Sequence, residues 1–285
     1  MAYTTLIATN ELASQREDSW VVVDCRYDLR HTSAGRDQYL KGHIPGAVYA
    51  HLSKDLSGTA GSVGGRHPIP TAEAIEATFG RLGIGPDVQV VMYDEDVGMF
   101  ASRMWWMLRY MGHEAAAVLD GGWAKWTREG RPGRAGEDTR EPATFSGQPQ
   151  NERRLGLSDV EARIGDPSTL LIDARAAERF EGRNEPIDRA PGHIPGAANH
   201  FFRGNATDEG VMLSPDALRQ QFAKVMGDRS PDQVVMYCGS GVTACQNLLA
   251  MEHAGLSGAR LYPGSWSEWS SDPERPVETG PARRR

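Results

Sequence analysis

Five short stretches of the chain are apolar almost throughout instead of alternating between apolar and polar residues. Strands of that kind are typical of parallel sheets whose two faces are both covered by helices. Turn-forming residues or helical patterns separate the stretches. We therefore predict β-strands within residues 21–23, 88–93, 118–119, 170–172 and 234–237.

Apolar residues between these predicted strands recur with the period of an α-helix. Ile75, Phe79 and Leu82 fall on one face of a helix that we predict for residues 71–82, and Ser214 caps the start of another helix. Strands that alternate with helices indicate an α/β fold, in which parallel sheets are flanked by helices.

A series of short motifs occurs twice in the same order. Val-Val-Met-Tyr at 90–93 returns at 234–237, and Gly-His-Ile-Pro-Gly-Ala at 42–47 returns at 192–197. An apolar strand that ends in aspartate and a pair of tryptophans are duplicated as well. The copies are separated by 143 to 150 residues, far more than the about 20–50 residues of a solenoid repeat. The repeating unit therefore has the size of a domain.

Two tandem domains follow from this duplication, residues 1–128 and residues 155–285. Residues 129–154, between them, are rich in glycine, proline and charged residues and show no apolar stripe. Such a composition is typical of a linker. The predicted fold class is thus α/β, with two tandem domains that each consist of a parallel sheet flanked by helices.

Charge and composition exclude several classes of function. The chain has 39% hydrophobic and 24% charged residues and a net charge of −7, which is typical of a globular protein and unfavourable for binding nucleic acid. No apolar run approaches the ~18 residues of a membrane span, and the first residues lack the pattern of a signal peptide. We expect a cytoplasmic protein with neither a nucleic-acid nor a membrane partner.

Cys25, Cys238 and Cys245 are the three cysteines of the chain. An odd number does not form a disulfide framework, and the three lack the paired spacing of zinc ligands, so we expect no metal. No cofactor motif occurs in the sequence. After the repeated strand, the first copy has Asp94 where the second has Cys238. This asymmetry makes Cys238 the candidate nucleophile and predicts that the first domain is inactive.

Cys238 opens the loop Cys-Gly-Ser-Gly-Val-Thr-Ala-Cys, which follows a predicted strand and precedes a predicted helix. Ligands of open parallel sheets bind at this edge. The glycines allow backbone N–H groups to point inward at a helix N-terminus, where they stabilise a thiolate or a persulfide anion. The alternative is a buried, inert cysteine in a tight turn. The predicted anion cradle consists of Gly239, Ser240, Gly241, Val242 and Thr243.

Together these motifs resemble those of the tandem-domain sulfurtransferases of the rhodanese superfamily. The resemblance covers roughly residues 24–269 and includes both Gly-His-Ile-Pro-Gly-Ala segments and the Cys-x-x-Gly-Val-Thr-Ala loop. It implies that Cys238 accepts a sulfane sulfur as a persulfide and passes it to cyanide, a thiol or reduced thioredoxin, without a cofactor. Cysteine-dependent phosphatases, which use a similar loop, are disfavoured because Ala244 stands where they have an arginine.

The choice of sulfur donor depends on the charge of the loop. Within the superfamily, the uncharged Gly239 and Ser240 resemble the members that use 3-mercaptopyruvate, whereas thiosulfate-using members more often have two cations there. A loop without cations favours a donor with one carboxylate over the dianion thiosulfate. Thiosulfate:cyanide sulfurtransferase activity and a non-catalytic persulfide carrier are the alternatives.

The carboxylate of the donor requires cations, which an acidic protein must supply locally. Arg179, in Arg-Phe-Glu-Gly, resembles the donor-binding arginine of the family. A second donor arginine directly follows a Glu-Pro pair in mercaptopyruvate enzymes, but here Ile187-Asp188 follows that pair. Arg189 or Arg183 is the candidate substitute, and ion pairing on a solvated face is the alternative for both.

The resemblance also implies a proton relay. His43 and Asp37, together with Ser240, resemble a relay set proposed for mercaptopyruvate enzymes. His43 and His193 both precede an Ile-Pro-Gly turn, so a structural role is the alternative for these histidines. General acid–base catalysis requires a side chain within hydrogen-bonding reach of its partner, and contact between His43 and Ser240 is therefore what this prediction requires.

Overall fold

A computed structural model describes residues 2–61 and 64–282 of the chain. The chain divides into two compact units. The first unit comprises Met1–Gly58, Pro70–Gln150 and Ala206–Met212. The second unit comprises Thr59–Ile69, Asn151–Asn205 and Leu213–Arg285.

The two compact units differ from the predicted domains, residues 1–128 and 155–285, by an exchange of segments. Residues 59–69 come from the first half of the sequence but belong to the second unit. Residues 206–212 come from the second half but belong to the first unit. The described residues of these segments, 59–61, 64–69 and 206–212, contain no helix or strand, which is why the periodicity of apolar residues does not reveal the exchange.

The predicted linker, residues 129–154, is not a free connection. As far as Gln150 it belongs to the first unit, where the Ala143 N–H donates to the Gly80 carbonyl at 2.9 Å. Arg134 and His43 form an isolated antiparallel bridge in the same unit. Backbone hydrogen bonds of this kind explain how a segment without an apolar stripe is fixed on a folded surface.

The first unit is built on a five-stranded parallel sheet with the strand order β1-β5-β4-β2-β3. Its strands are β1 Leu6–Ile7, β2 Val21–Asp24, β3 Val48–Tyr49, β4 Val90–Tyr93 and β5 Ala116–Leu119. Its helices are α1 Thr9–Gln15, α2 Ala34–Lys41, α3 Leu52–Asp55, α4 Ala72–Arg81, α5 Ala101–Tyr110 and α6 Gly122–Arg128.

The second unit contains a four-stranded parallel sheet with the order β7-β6-β8-β9. Its strands are β6 Leu170–Asp173, β7 Ala198–Asn199, β8 Val234–Tyr237 and β9 Arg260–Leu261. Its α-helices are α7 Leu157–Glu161, α8 Ala177–Phe180, α9 Pro215–Met226, α10 Ala244–His253 and α11 Ser265–Trp269. Short 3₁₀ turns lie at Asn151–Arg153, Phe202–Asn205 and Pro231–Gln233.

The predicted fold class is confirmed, and the predicted helices begin for the expected reasons. Thr71 caps α4 by accepting a hydrogen bond from the Ala74 N–H, and Ser214 caps α9 by accepting one from the Ala217 N–H. The central strands β2, β4, β6 and β8 are buried along their whole length, as expected for continuously apolar runs. No helix within residues 2–61 and 64–282 has both the length and the hydrophobicity to cross a membrane.

Candidate active site

Cys238 lies directly after β8 and before α10, at the carboxyl edge of the second sheet. Cys238 is buried, with 2% of its surface exposed. The Cys238 N–H donates to Ser265 Oγ at 3.1 Å, and the Cys238 carbonyl accepts from the Trp266 N–H at 2.9 Å. The Gly239 carbonyl accepts from the Ser267 N–H at 2.9 Å. Helix α11 therefore fixes the backbone at the start of the cysteine loop.

Ser265 holds this position in an uncommon backbone conformation. Its φ is +54°, in the left-handed region, where a residue other than glycine is disfavoured by about 1–2 kcal/mol. In the first unit the corresponding residue is Gly122, with a φ of +56°. The second unit keeps a serine at this turn, and its hydroxyl is the acceptor for the Cys238 N–H. Strain retained beside a candidate nucleophile is typical of functional sites.

Gly241 provides the turn within the loop. Its φ is +72°, and an added Cβ would lie 2.3 Å from the Pro263 carbonyl oxygen. Both facts exclude a side chain at this position. The Cys245 thiol donates to the Gly241 carbonyl, with Sγ and oxygen 3.3 Å apart. Cys245 is therefore a buried thiol that contacts the loop backbone.

The equivalent loop of the first unit shows what such a backbone binds. The Asp94 carboxylate accepts hydrogen bonds from the N–H groups of Gly98, Phe100 and Ala101 at 3.0, 2.6 and 3.0 Å. Gly98 has a φ of +74°, matching the +72° of Gly241. Burial nevertheless raises the pKa of Asp94 to about 6, while the three backbone donors oppose that rise. The loop of the first unit is thus an anion cradle filled by a carboxylate, and the second unit has a thiol at the corresponding position.

Two guanidinium groups flank the cysteine loop. A Cβ added to Gly239 would lie 3.0 Å from Nη2 of Arg66 and 3.6 Å from both terminal nitrogens of Arg179. Burial lowers the pKa of the Arg66 guanidinium, and the charge of Cys238 acts in the opposite direction. Arg179 was predicted at this position, and α8 delivers it. Arg66 was not predicted, because it comes from the irregular segment 59–69.

Buried carboxylates hold these arginines in place. Arg179 Nη2 donates to Glu185 at 2.8 Å and to Asp188 at 2.9 Å. Asp188 also pairs with Arg66, and Glu185 also pairs with Arg175 at 3.0 Å. The side chains of Glu185 and Asp188 are each 2% exposed. Because both charges are buried and multiply bonded, these contacts fix the geometry of the arginines more firmly than surface ion pairs would.

The other two arginines predicted to bind the donor point elsewhere. Arg183 is 63% exposed and pairs with Glu181 at 2.6 Å. Arg189 is exposed and donates to the Ser271 carbonyl at 2.7 Å. The two arginines that lie beside Gly239 are Arg179, one of the three predicted donor-binding residues, and Arg66.

The histidine of the predicted proton relay has partners in its own unit. The Nδ1 atom of His43 contacts the Tyr39 carbonyl at 2.8 Å and its Nε2 atom contacts Asp138 at 3.1 Å, so both ring nitrogens are used within the first unit. Asp37 is exposed on α2. The histidine that contacts Ser240 is His67, whose Nδ1 lies 2.9 Å from Ser240 Oγ.

Helix α11 also holds the segment that carries Arg66 and His67. Glu268 accepts a hydrogen bond from the Gly64 N–H at 2.5 Å, and Ser267 Oγ accepts one from the Arg66 N–H at 3.1 Å. Gly65 has a φ of +71°, and a Cβ there would lie 2.4 Å from Ser267 Oγ. One signal in the sequence was available for this segment: Gly-Gly-Arg-His has no copy in the second half of the repeat.

The site thus combines one thiol at the start of a glycine-containing loop, two arginines and a Ser–His pair. Cys25, in contrast, lies 3.9 Å from the Met104 sulfur in the first unit, and burial raises the pKa of its thiol well above the usual value. Across residues 2–61 and 64–282, no group of three or more His, Cys, Asp or Glu side chains is placed to bind a metal ion. The arrangement suits attack by a thiolate on a small anionic donor.

Comparisons with known proteins agree with this geometry. A family model described as "Rhodanese-like domain" matches residues 8–129 and 157–272. A probable 3-mercaptopyruvate sulfurtransferase of Pseudomonas aeruginosa is 42% identical over 98% of this chain and 100% of its own length. A putative thiosulfate sulfurtransferase, SseB, of Mycobacterium tuberculosis is 38% identical over 97% of this chain and 98% of its own length.

Solved structures give the same result. The 3-mercaptopyruvate sulfurtransferase from Leishmania major superposes with a TM-score of 0.83 at 31% identity and covers 94% of this chain and 74% of its own. SseA from Escherichia coli, described as a 3-mercaptopyruvate sulfotransferase with the rhodanese fold, superposes with a TM-score of 0.80 at 31% identity. That match covers 93% of this chain and 100% of SseA.

Proposed function

The chain belongs to the rhodanese family of sulfurtransferases and is therefore an enzyme of that class, and we propose that 3-mercaptopyruvate is its sulfur donor. In this proposal Cys238 carries the sulfur as a persulfide and passes it to a thiophilic acceptor. The observation that carries the proposal is the pair of guanidiniums, Arg66 and Arg179, beside the uncharged Gly239 of the cysteine loop. They provide a site for one carboxylate next to the nucleophile.

The first displacement forms the persulfide. The Cys238 thiolate attacks the sulfur of 3-mercaptopyruvate, an S–S bond forms, and the C–S bond of the donor breaks. The electron pair of that bond passes to the donor carbon and produces the enolate of pyruvate, which takes up a proton to become pyruvate. Arg66 and Arg179 hold the donor carboxylate during this step. The loop backbone stabilises the anionic sulfur, as its counterpart stabilises the Asp94 carboxylate.

The Ser240–His67 pair supplies the proton step. Ser240 Oγ and His67 Nδ1 lie 2.9 Å apart, and both residues are buried. Ser240 belongs to the cysteine loop itself. A hydroxyl that is hydrogen-bonded to an imidazole can deliver a proton to the enolate and recover it through the ring.

The second displacement releases the sulfur. An acceptor nucleophile attacks the outer sulfur of the persulfide, and the Cys238 thiolate leaves. Cyanide yields thiocyanate in this step, and a thiol yields its own persulfide. Reduced thioredoxin is a further candidate acceptor, since its dithiol can first take the sulfur and then release it as sulfide while forming a disulfide.

Two alternatives make different predictions. A thiosulfate-using enzyme, as the name of the Mycobacterium tuberculosis relative suggests for that protein, would turn over thiosulfate more efficiently than 3-mercaptopyruvate. A non-catalytic carrier would hold sulfur on Cys238 but would turn over neither small donor. A steady-state assay with cyanide as the acceptor and each donor in turn distinguishes the three.

The decisive variant in this assay is Cys238→Ser. We expect the wild-type protein to release pyruvate from 3-mercaptopyruvate and form thiocyanate, and we expect the variant to lose both products. Cys25→Ser is the matched control, because it removes a buried thiol of the first unit and leaves the loop intact. Pyruvate release that survives in Cys238→Ser would rule out the proposed mechanism.

A further inference from the structure

The carboxylate of Asp188 lies between the two arginines of the donor site. One of its oxygens pairs with Arg66 Nη1 and the other accepts from Arg179 Nη2 at 2.9 Å. The side chain is 2% exposed. The same two guanidiniums face Gly239 in the cysteine loop. The chain therefore keeps an anion of its own in contact with both cations that a donor would use.

A rigid turn fixes Asp188 in this position. The backbone N–H groups of Ile187 and Asp188 both donate to Glu185 Oε1 at 3.0 Å. Glu185 is itself anchored by ion pairs with Arg175 and Arg179. Because the turn is held through its backbone, Asp188 is a fixed negative charge and not a mobile surface side chain. This turn is also the place where the sequence departs from the mercaptopyruvate pattern, which has an arginine after its Glu-Pro pair.

The charges of the arginines and carboxylates around the loop balance before any donor binds. Three buried or half-buried arginines are matched by three buried carboxylates through direct ion pairs. The arginines are Arg66, Arg175 and Arg179, and the carboxylates are Asp173, Glu185 and Asp188. A donor with one negative charge thus adds one net charge to this cluster, and a dianion adds two.

We propose that Asp188 is a specificity-determining residue, which restricts the donor site to compounds with a single negative charge. The inference rests on the proposed function and deepens it. At equal distance, a fixed carboxylate repels a dianion twice as strongly as a monoanion, because the Coulomb energy is proportional to the product of the charges. Asp188 also occupies part of the hydrogen-bonding capacity of both guanidiniums. It therefore disfavours thiosulfate more than 3-mercaptopyruvate.

The substitution Asp188→Asn tests this inference. It removes the charge and nearly preserves the shape of the side chain. We expect the ratio of kcat/KM for thiosulfate to kcat/KM for 3-mercaptopyruvate to rise by about tenfold or more, as the removal of one buried charge acts once on the monoanion and twice on the dianion. The ratio is a suitable readout because both donors use the same cysteine, loop and acceptor, so general damage to the site cancels.

One control variant, a second substitution of Asp188 and a competition experiment complete the test. Glu181→Gln changes the net charge of the protein by the same amount, but Glu181 pairs with the exposed Arg183, so its donor ratio should equal that of the wild type. Asp188→Ser provides a second variant with a small side chain that tolerates water. In the wild-type protein, pyruvate should compete with 3-mercaptopyruvate more strongly than sulfate does, a comparison that needs no variant.

Several outcomes would overturn the inference. Folded Asp188→Asn and Asp188→Ser proteins whose donor ratio stays within about twofold of wild type would show that Asp188 only positions the arginines. Stronger competition by sulfate than by pyruvate in the wild-type protein would contradict it as well. Failure of the proposed function is separate, since it would appear as absent pyruvate release in the wild type or as retained release in Cys238→Ser.

Discussion

The Asp94 carboxylate accepts hydrogen bonds from three backbone N–H groups of its own loop and still has a pKa raised by burial to about 6. The cradle therefore compensates only part of the cost of burying an oxygen anion. A thiolate or persulfide spreads its charge over a larger atom, and the second unit adds Arg66 and Arg179 beside its loop. The sulfur atom of Cys238 and the two arginines are therefore the single residues that distinguish the candidate active unit from the first unit.

The raised pKa of Asp94 predicts how stability depends on pH. The folded chain holds this proton up to about pH 6, whereas an unfolded chain loses it near the ordinary value of 3.8. Between these values the folded state binds more protons, so the contribution of Asp94 to stability declines by up to about 3 kcal/mol as the pH rises from 4 to 7. Urea unfolding of wild type and Asp94→Asn across this range measures the difference. A stability difference between the two proteins that does not change with pH would contradict the prediction.

Gly241 predicts a second residue-scale result. In Gly241→Ala the new Cβ would meet the Pro263 carbonyl oxygen at 2.3 Å in a left-handed conformation, and relief requires the loop to move. We expect kcat/KM to fall by about 100-fold or more, since small displacements of reacting groups have effects of this size. Gly255→Ala is the matched control, with a φ of +76° and open space around the new Cβ. It should lower stability by about 1 kcal/mol and leave activity unchanged, and equal effects on activity in the two variants would argue against a fixed loop.

His67 predicts a difference between donors. Attack on 3-mercaptopyruvate produces an enolate that needs a proton, whereas attack on thiosulfate releases sulfite and needs none. We expect His67→Gln to lower kcat with 3-mercaptopyruvate by about 100-fold and to affect thiosulfate turnover much less. His31→Gln, at an exposed histidine of the first unit, is the control. The same loss with both donors would assign His67 a structural role.

Helix α11 is the element that assembles the site. Its first residues hold the cysteine loop, and Ser267 and Glu268 hold the segment that carries Arg66 and His67. The helix has only five residues, so its position is set by packing, with Trp266 and Trp269 fully buried. Arg175 also stacks over Trp266, with 4.9 Å from the guanidinium carbon to the ring centroid. The duplicated tryptophans of the sequence thus anchor the helix that holds the cysteine loop.

Removal of one α11 contact should therefore affect donor binding at a distance. Ser267→Ala leaves the Arg66 N–H without its acceptor, and loss of a hydrogen bond of this kind costs about 1 kcal/mol. We expect KM for 3-mercaptopyruvate to rise by about five- to tenfold, with a smaller change in kcat. Ser271→Ala removes a hydroxyl that bonds to the Glu268 carbonyl after the same helix and should leave KM unchanged. A normal KM in Ser267→Ala would show that the segment is held by other contacts.

The helices and strands were predictable from the sequence, while the position of the irregular segment that carries Arg66 and His67 was not. Buried strands and amphipathic helices have a periodicity that the sequence displays, and Cys238 is recognisable because it follows such a strand and the repeat isolates it. Arg66 and His67 lie in an irregular segment, where no period indicates a location. The family resemblance pointed to His43 as a relay residue. Its motif is present in both units, which is the expected place for a structural histidine, and its ring nitrogens contact Tyr39 and Asp138.

At the scale of the whole molecule, duplication explains the fold and the exchange of segments explains the site. Both units repeat the strand order around β2-β4 and β6-β8 and the buried Asp–Arg pair after the central strand, Asp24–Arg26 in the first and Asp173–Arg175 in the second. The second unit becomes complete only with residues 59–69 from the other half of the chain. A repeat in the sequence predicts the elements that both units share. It does not predict residues 59–69, which come from the first half of the sequence and belong to the second unit.

The central claim is that sulfur from 3-mercaptopyruvate passes through Cys238. Its most direct test is mass spectrometry of the intact and digested protein after one equivalent of donor without acceptor, together with the pyruvate released. We expect the peptide that contains Cys238 to gain about 32 Da, the mass of one sulfur as a persulfide. We also expect the release of one pyruvate per chain, and the added mass should be lost when cyanide is added. Pyruvate release without added sulfur, or sulfur on Cys25 or Cys245, would contradict it.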